Sequence, residues 1–401
     1  MNFKATDVFV SGGGIAGMAA AIAFERAGFS VICADPVAPV ITRQDNGADL
    51  RTTAFLQPSQ TFLQSIGIWD HLAKHAVPLE VMRIVDAGGA ITPPAIRVMK
   101  EFQASDISNQ PFGWNVPNWL SRKELLKSLN DAKDATFLPG VNTVKVFTRE
   151  SEARVTLSDG QKIRARLIIA ADGSSSYVRK NAQIGVTTKR FGQKALAFVV
   201  THPIPHENVS TEIHRRGGPF TLVPLPDHQG TPSSAIVWME TSKHAARLIE
   251  MDRNSFETEM NARSCGILGP LTLETKRTVW PIISQLADRF SAQRIALVGE
   301  AAHAIPPIGA QGLNMSLEDI KTLVDLAIKA DDIGSKSVLD AYHKARITDV
   351  RFRVGGISLL NQTSIGPSQI LRDIRASGIG ALHGLAPLRK TLMKMGLGVR
   401  S

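Results

Sequence analysis

A glycine-rich turn between an apolar strand and an alanine-rich helix constrains this chain more than any other feature. Asp7 to Val10 is apolar and β-branched, Gly12-Gly13-Gly14-Ile15-Ala16-Gly17 follows as G-x-G-x-x-G, Gly14 to Ala27 has helical spacing, and Phe29 to Ala34 reads as a second buried strand. In such a β-α-β unit Gly12 permits the tight turn, Gly14 lets a pyrophosphate approach the backbone, and Gly17 lets helix and strand pack closely. The turn, with Ile15 and Ala16 inside it, then faces phosphate with the positive end of the helix. Asp35 closes the second strand 18 residues after Gly17. A carboxylate there accepts from a ribose 2′-OH and repels a 2′-phosphate, which favours FAD or NAD over NADP at this site. The alternative is a glycine-rich turn with no ligand; strand, helix and acidic residue all in register favour the dinucleotide.

A chain of 401 residues, 43% apolar and 20% charged, can bury a sizeable core and exceeds what one core usually organises. The length implies two or three domains or one large two-lobed α/β unit. Cys33 and Cys265 lie far apart with no further Cys or His at ligand spacing, so neither a structural metal nor a disulfide framework is expected. The apolar run Ile15 to Phe24 stops at Glu25, about half the ~20 residues a membrane span needs. The N-terminus leads straight into a strand and does not read as a signal peptide, so a cytoplasmic location is the default expectation.

Coarse patterning places a helix over Leu120 to Asn130, with Ser121 as N-cap and Glu124 completing a capping box. Arg154 to Leu157 and Lys162 to Ala170 flank a Ser158-Asp159-Gly160 turn as a hairpin. Between Thr187 and Pro281 β-type stretches recur (Leu196 to Thr201, Phe220 to Pro224, Ala235 to Met239) and predict an inserted sheet. Arg294 to Val298 is again an apolar strand, followed by a Gly/Pro loop from Gly299 to Gly312 and a helix through about Ala330. Such interleaving predicts a ligand cleft between two lobes.

Two more constellations sit at strand ends. Ile168 to Ala171 runs into Asp172-Gly173, then Ser174 and Arg179 at a helix start; alone this is an Asp-Gly turn. Ile295 to Val298 runs into Gly299-Glu300-Ala301-Ala302-His303 and on to Pro306-Pro307-Ile308-Gly309-Ala310-Gln311-Gly312-Leu313-Asn314. A carboxylate at such a strand end can bind ribityl hydroxyls. Backbone N–H groups from Gly312 to Asn314, opening a helix, can face developing negative charge.

These three motifs, in this order and spacing, resemble those of the single-component FAD-dependent aromatic hydroxylases, the family of p-hydroxybenzoate hydroxylase and the ubiquinone-biosynthesis hydroxylases. The likeness covers most of residues 5 to 345, and Gly299 to Asn314 is its most specific part. The resemblance implies an α/β fold: a glutathione-reductase-like Rossmann FAD domain, an inserted mixed β-sheet substrate domain and a C-terminal helical segment. It divides the chain into FAD-binding segments 1–75, 116–186 and 282–345, substrate-domain segments 76–115 and 187–281, and a basic helical segment 346–401.

It further implies bound FAD, with NAD(P)H as reductant and O₂ added at the flavin C4a as a hydroperoxide that hydroxylates an electron-rich ring. Gly12, Gly14 and Gly17 would hold the diphosphate and Asp35 the adenosine ribose. Arg51 and Arg122 match family arginines beside the cofactor, Asp172 lies near the diphosphate, Leu313 and Asn314 offer N–H groups to the flavin pyrimidine, and Pro307 lines the substrate side. The family usually has Gly-Asp where this chain has Gly299-Glu300, which bears on FAD affinity. Without the motif register, the alternative for Arg51 and Arg122 is a surface ion-pair role. His303 reads as a helix-buried, backbone-satisfied residue rather than an acid or base. Phe220, Leu222, Trp238 and Met239 read as sheet core before pocket lining.

The net charge of +10 is concentrated late, since from His343 onward ten Lys or Arg stand against two Asp. Leu385, Leu388, Leu392 and Met395 recur at helical spacing, with Arg389, Lys390 and Lys394 on other faces. This pattern suits a helix at an anionic membrane surface, a subunit contact or a solvated cap. No nucleic-acid module accompanies the charge. The expected function is hydroxylation of a phenol-type ring, a polyprenylated quinone precursor first. Hydroxylation of a small soluble aromatic acid and a non-hydroxylating FAD-binding redox or scaffold protein are the alternatives.

Overall fold

The computed structural model describes residues 3–87, 96–215, 217–365 and 386–397. Its first layer is an eight-stranded sheet centred on Lys4–Ser11. Five strands run parallel in the order Ile295–Leu297, Lys162–Ala170, Lys4–Ser11, Val31–Asp35, Ala135–Pro139. Val8 to Val10, Ile32, Ala34, Leu167 to Ala170 and Ile295 to Leu297 are almost fully buried, as expected of parallel strands covered on both faces. The hairpin forms as its turn chemistry predicts, with Arg154 opposite Arg164.

The helix Ile15–Arg26 packs on this sheet and is buried along nearly its whole length from Met18 to Phe24. Its alanines let the sheet and the helices Asn118–Asn130 and Gln311–Ala327 approach closely. One expectation is corrected here. The helix after Val116 starts at Asn118, with Pro117 as its N-cap, and Ser121 lies inside it, donating to the Pro117 carbonyl at 3.2 Å. Pro117 fixes the backbone one turn earlier than the serine could, so no capping box forms.

The second layer is a nine-stranded sheet whose main path runs His303–Ala304, Thr278–Ala287, Val186–Thr201, Thr231–Thr241, Pro219–His228, Val209–His214, Val81–Asp86, Val98–Gln103. Val209–His214 and Val81–Asp86 pair in parallel, so the sheet is mixed. The two faces of this sheet differ. Leu196, Phe198, Phe220, Leu222 and Trp238 pack with Phe256 and Met260 in one cluster, beneath the helices Ser242–Glu250 and Arg253–Ser264. Ala195, Met239 and Ile282 turn the other way, with Val237, Trp280 and, from the glycine/proline loop, Ile308. Phe220, Leu222 and Trp238 are therefore core, as their strand patterning predicts, whereas Met239 belongs to the face that meets the loop.

A small sheet of Thr52–Leu56, Gly113–Pro117 and Val77–Leu79 joins the two layers, Asn115 donating to the Pro224 carbonyl at 2.9 Å. The segment read as a Gly299 to Gly312 loop contains a 3₁₀ turn, Gly299–Ala301, and a two-residue strand, His303–Ala304, paired to Gln285 and Leu286. Among the described residues no helix is long and apolar enough to cross a membrane. The tail forms the helix Ala386–Leu397, in which Lys390 and Lys394 are exposed and Arg389 pairs with Asp106 at 3.2 Å. Leu385 and the side chains of Leu388, Leu392 and Met395 lie outside the described residues.

Candidate functional site

The motif residues meet because each stands at the carboxyl end of a neighbouring parallel strand, where α/β sheets bind their ligands. Gly12 follows Lys4–Ser11, Asp35 closes Val31–Asp35, Asp172 follows Lys162–Ala170, and Gly299 follows Ile295–Leu297. Strand pairing at ~4.8 Å spacing then fixes their order as Gly299, Asp172, Gly12, Asp35.

The first turn is tight on one side and open on the other. Gly12 has φ +111°, and a Cβ on it would strike the Ala171 carbonyl. A Cβ on Gly17 would overlap the Gly12 carbonyl, whereas one on Gly14 would meet nothing within 4 Å. Gly14 is also the N-cap of the helix and offers no side chain, so the first-turn N–H groups face that open space without a side-chain partner. This arrangement fits a diphosphate. The Asp35 carboxylate accepts from Gly13 N at 2.6 Å and Val37 N at 2.8 Å, which holds it beside the turn.

Asp172 accepts from Ser176 Oγ and from Val178 N, capping the short helix Tyr177–Asn181. Buried Arg179 donates to the carbonyls of Ser174 (2.7 Å) and Ala301 (2.8 Å), tying the second motif to the third. A Cβ on Gly299, which has φ +59°, would lie 3.6 Å from Ala16 Cβ, so the first and third motifs also touch. Glu300 is exposed at this edge.

Arg51 and Arg122 converge on one acid that the sequence reading missed. Asp49 accepts from Arg51 Nε (2.8 Å) and Nη2 (2.7 Å), from Arg122 Nη2 (3.3 Å) and from Asn118 Nδ2 (3.2 Å). Burial alone would raise the Asp49 carboxyl, but the Arg51 hydrogen bonds and the two guanidinium charges outweigh it and hold it below its ordinary value. Arg51 is shifted upward, chiefly by its bonds to Asp49 and further by the charges of Asp49 and Glu300. Its guanidinium also lies 5.5 Å from the centre of the Trp280 ring, bridging the two layers. Both arginines are thus ion-paired, and Arg51 also reaches the second sheet.

Asn314 spends its side chain on the small sheet: Oδ1 accepts from Leu56 N at 2.9 Å and Nδ2 donates to the carbonyls of Ala54, at 2.8 Å, and Ala310. The helix it opens, Gln311–Ala327, has Ala310 as N-cap at φ +55° with no side-chain cap, and Gly312 is exposed. The N–H groups of Gln311 to Leu313 therefore have no acceptor within the helix. Pro306 is buried and Pro307 exposed beside them.

Behind this loop lies a buried charge chain. His303 Nε2 donates to Asp319 Oδ2 at 2.6 Å, and Arg346 Nε donates to Asp319 Oδ1 at 2.8 Å, all three residues being at most 2% exposed. Gly299 N also reaches Asp319, at 3.2 Å. From Arg346 the chain continues through Asp349 and Arg353 to Gln311 Oε1. His303 is thus buried as expected, but in a strand, and a carboxylate satisfies it rather than backbone. The signal available in the sequence was a charge inside an apolar stripe: Asp319 sits among Met315, Ile320 and Leu323, and Arg346 among Leu339, Tyr342 and Val350.

Residues 5–351 match the family described as FAD binding domain. The chain is 31% identical to the ubiquinone hydroxylase UbiL of Rhodospirillum rubrum over 98% of this chain and 90% of that protein. It is 25% identical to the 3-demethoxyubiquinol 3-hydroxylase of Escherichia coli over the full length of both. Among solved structures, the p-nitrophenol 4-monooxygenase PnpA of Pseudomonas putida superposes with a TM-score of 0.80 at 16% identity, covering 100% of both chains. PqsL of Pseudomonas aeruginosa with 2-aminobenzoylacetate superposes with a TM-score of 0.75 at 20% identity, covering 94% of this chain and 100% of that one; these two likenesses concern the fold. The open diphosphate turn, the converging strand ends and the full-length match together make this chain a member of the FAD-binding-domain family, an FAD-dependent aromatic-ring monooxygenase that uses NAD(P)H and O₂.

Proposed function

We propose that this enzyme hydroxylates a polyprenylated phenol, a quinone precursor, held beside the Ile308 loop against the partly exposed Val237 and Trp280 of the sheet. The observation that carries the site is the meeting of the three motifs and Asp35 at four adjacent strand ends, with open space over Gly14. The relatives named for ubiquinone chemistry support the substrate class. FAD held there would supply the hydride-accepting and O₂-activating chemistry that the hydroxylation needs.

The protein's own part is binding, orientation and exclusion of water. Gly12, Gly14, Ile15, Ala16 and Gly17 hold the diphosphate with first-turn N–H groups, and Asp172 flanks it. Asp35 holds the adenosine ribose. Arg51 and Arg122 supply positive charge at the cleft, and Asp49 fixes both in place. Gly299 and Glu300 meet the ribityl chain. Gly312, Leu313 and Asn314 set a helix N-terminus against the flavin pyrimidine, where it favours negative charge. Pro307 lines the substrate side. Segments 1–75, 116–186 and 282–345 form the cofactor lobe in this reading, and 76–115 and 187–281 the substrate lobe.

Purified protein is expected to be yellow and to oxidise NAD(P)H faster when a 2-polyprenylphenol is added, the product gaining one oxygen from O₂. A colourless protein that takes up no FAD defeats the reading, and stimulation only by small soluble aromatic acids moves the substrate to that class. Glu300→Asp is expected to change FAD affinity by about 1 kcal/mol or less, in the direction of tighter binding, because an exposed carboxylate is a weak partner. Equilibrium dialysis against FAD checks this, and equal affinity means the longer side chain already reaches.

We further propose peripheral contact of the 346–401 segment with an anionic bilayer. Exposed Lys390 and Lys394 on the tail helix support it, each basic residue near such a surface contributing ~1 kcal/mol. Co-sedimentation with phosphatidylglycerol vesicles is expected to fall when the chain stops before Leu385; equal binding rejects the contact.

A further inference from the structure

The sheet face that meets the Ile308 loop ends in a titratable pair that the cofactor cradle does not use. Residues paired across a sheet share a face, so one row can be followed strand by strand. Trp280 pairs with Ala195, and Ala195 with Met239. Pro219 and Met239 come one residue beyond the Phe220–Trp238 pair, and Pro219 pairs with His214. His214 therefore stands in the row of Trp280 and Met239, on the Ile308 side, about 10 Å from Met239 at two strand spacings.

His214 is 9% exposed, and its Nε2 lies 2.7 Å from Oε1 of Glu212, two residues earlier on the same face. The carboxylate engages Nε2, which leaves Nδ1 as the ring nitrogen able to accept from another group. That atom is buried and has no hydrogen-bond partner among the described residues. A buried acceptor left unpaired is costly, and such atoms are rare in native proteins. Asp86, fully buried, stands opposite His214 on the neighbouring strand.

We propose that His214 Nδ1 is the acceptor for the ring hydroxyl of the aromatic substrate, with Glu212 orienting the imidazole. The proposal rests on the hydroxylase reading above and names the base within that site. The ring lies over the partly exposed Val237, its reacting edge toward the Ile308 loop. The proton passes from the phenol to Nδ1: the O–H bond breaks, the N–H bond forms, and the imidazolium is held by the Glu212 carboxylate. The resulting phenolate is richer in electrons ortho and para to its oxygen, where hydroxylation then falls.

The test titrates FAD-loaded enzyme with 2-prenylphenol and with its methyl ether, 2-prenylanisole, following the perturbation of the flavin spectrum. Wild type is expected to prefer the phenol by about tenfold or more, the effect of one buried hydrogen bond. His214→Leu is expected to bring the preference to near unity while leaving the affinity for the anisole unchanged, and phenolate absorption on binding disappears with it. Glu212→Gln, which leaves the imidazole in place, is expected to lower kcat for the phenol more than it alters KM, and it stands in if the leucine variant takes up no FAD. A preference retained in His214→Leu, or a parallel loss of both ligands, overturns the assignment of His214 alone. Wild-type enzyme that binds neither probe overturns the substrate reading together with it.

Discussion

Asp319→Ala is expected to destabilise the protein by ~3–5 kcal/mol, the cost of removing one partner from a buried ion pair. The carboxylate is fully buried, and its loss removes the Nε partner of buried Arg346, which keeps Asp349 on Nη1, and leaves the His303 ring and Gly299 N without their acceptor. Burial by itself would raise the Asp319 carboxyl, but His303 and Arg346 overcome it and hold the group below its ordinary value. The sign of the pH dependence follows. A carboxyl lowered in the folded state contributes its full stability above the unfolded value, near pH 4, and loses it as pH falls through the folded value. Urea unfolding at pH 7 and at progressively lower pH checks both points. Wild type should lose stability steeply below about pH 4, and Asp319→Ala less steeply from a lower start. Equal midpoints at pH 7 would mean that the chain from His303 to Gln311 does not hold the loop.

Gly14→Ala and Gly17→Ala are expected to separate the two demands made on the diphosphate turn. Gly14 has φ −69° and ψ 178°, which alanine adopts freely, and open space beside it. Its substitution should leave the FAD-free protein as stable as wild type or more so by ~0.4–1 kcal/mol, through the unfolded chain. The added methyl stands where the diphosphate approaches, so FAD affinity should fall on the order of tenfold or more. Gly17→Ala should fail differently. Its methyl overlaps the Gly12 carbonyl, so the helix must move off the strand at a cost of ~1–3 kcal/mol whether or not FAD is present. Thermal unfolding without cofactor, set beside FAD dialysis, distinguishes the two. Gly14→Ala with wild-type FAD affinity would place the diphosphate elsewhere.

The parallel strands, the hairpin and the glycine turn are legible in the chain because each rests on local rules: buried runs of β-branched residues, an Asp-Gly turn, and a spacing that only glycine satisfies. Helix starts are less so, as Ser121 shows. A serine three residues before a glutamate satisfies the capping pattern, yet Pro117 had already set the backbone. The family resemblance led to the cofactor and to the chemistry, since Gly299 to Asn314 carries both in one stretch. The partners of the charges are another matter. Asp49, two residues from Arg51, holds Arg122 from a helix more than seventy residues away, and Asp319 joins a strand residue at 303 to Arg346.

What the amino-acid order determined by itself is therefore the set of strand ends and the groups they carry, because backbone conformation depends on near neighbours. Which groups meet was decided only by the tertiary structure. The register that aligns Trp280, Met239 and His214 on one face, and the burial that makes Asp319 indispensable, arise when segments distant in the chain exclude water between them. Charge pairing and desolvation depend on distance in space, and no spacing along the chain encodes them.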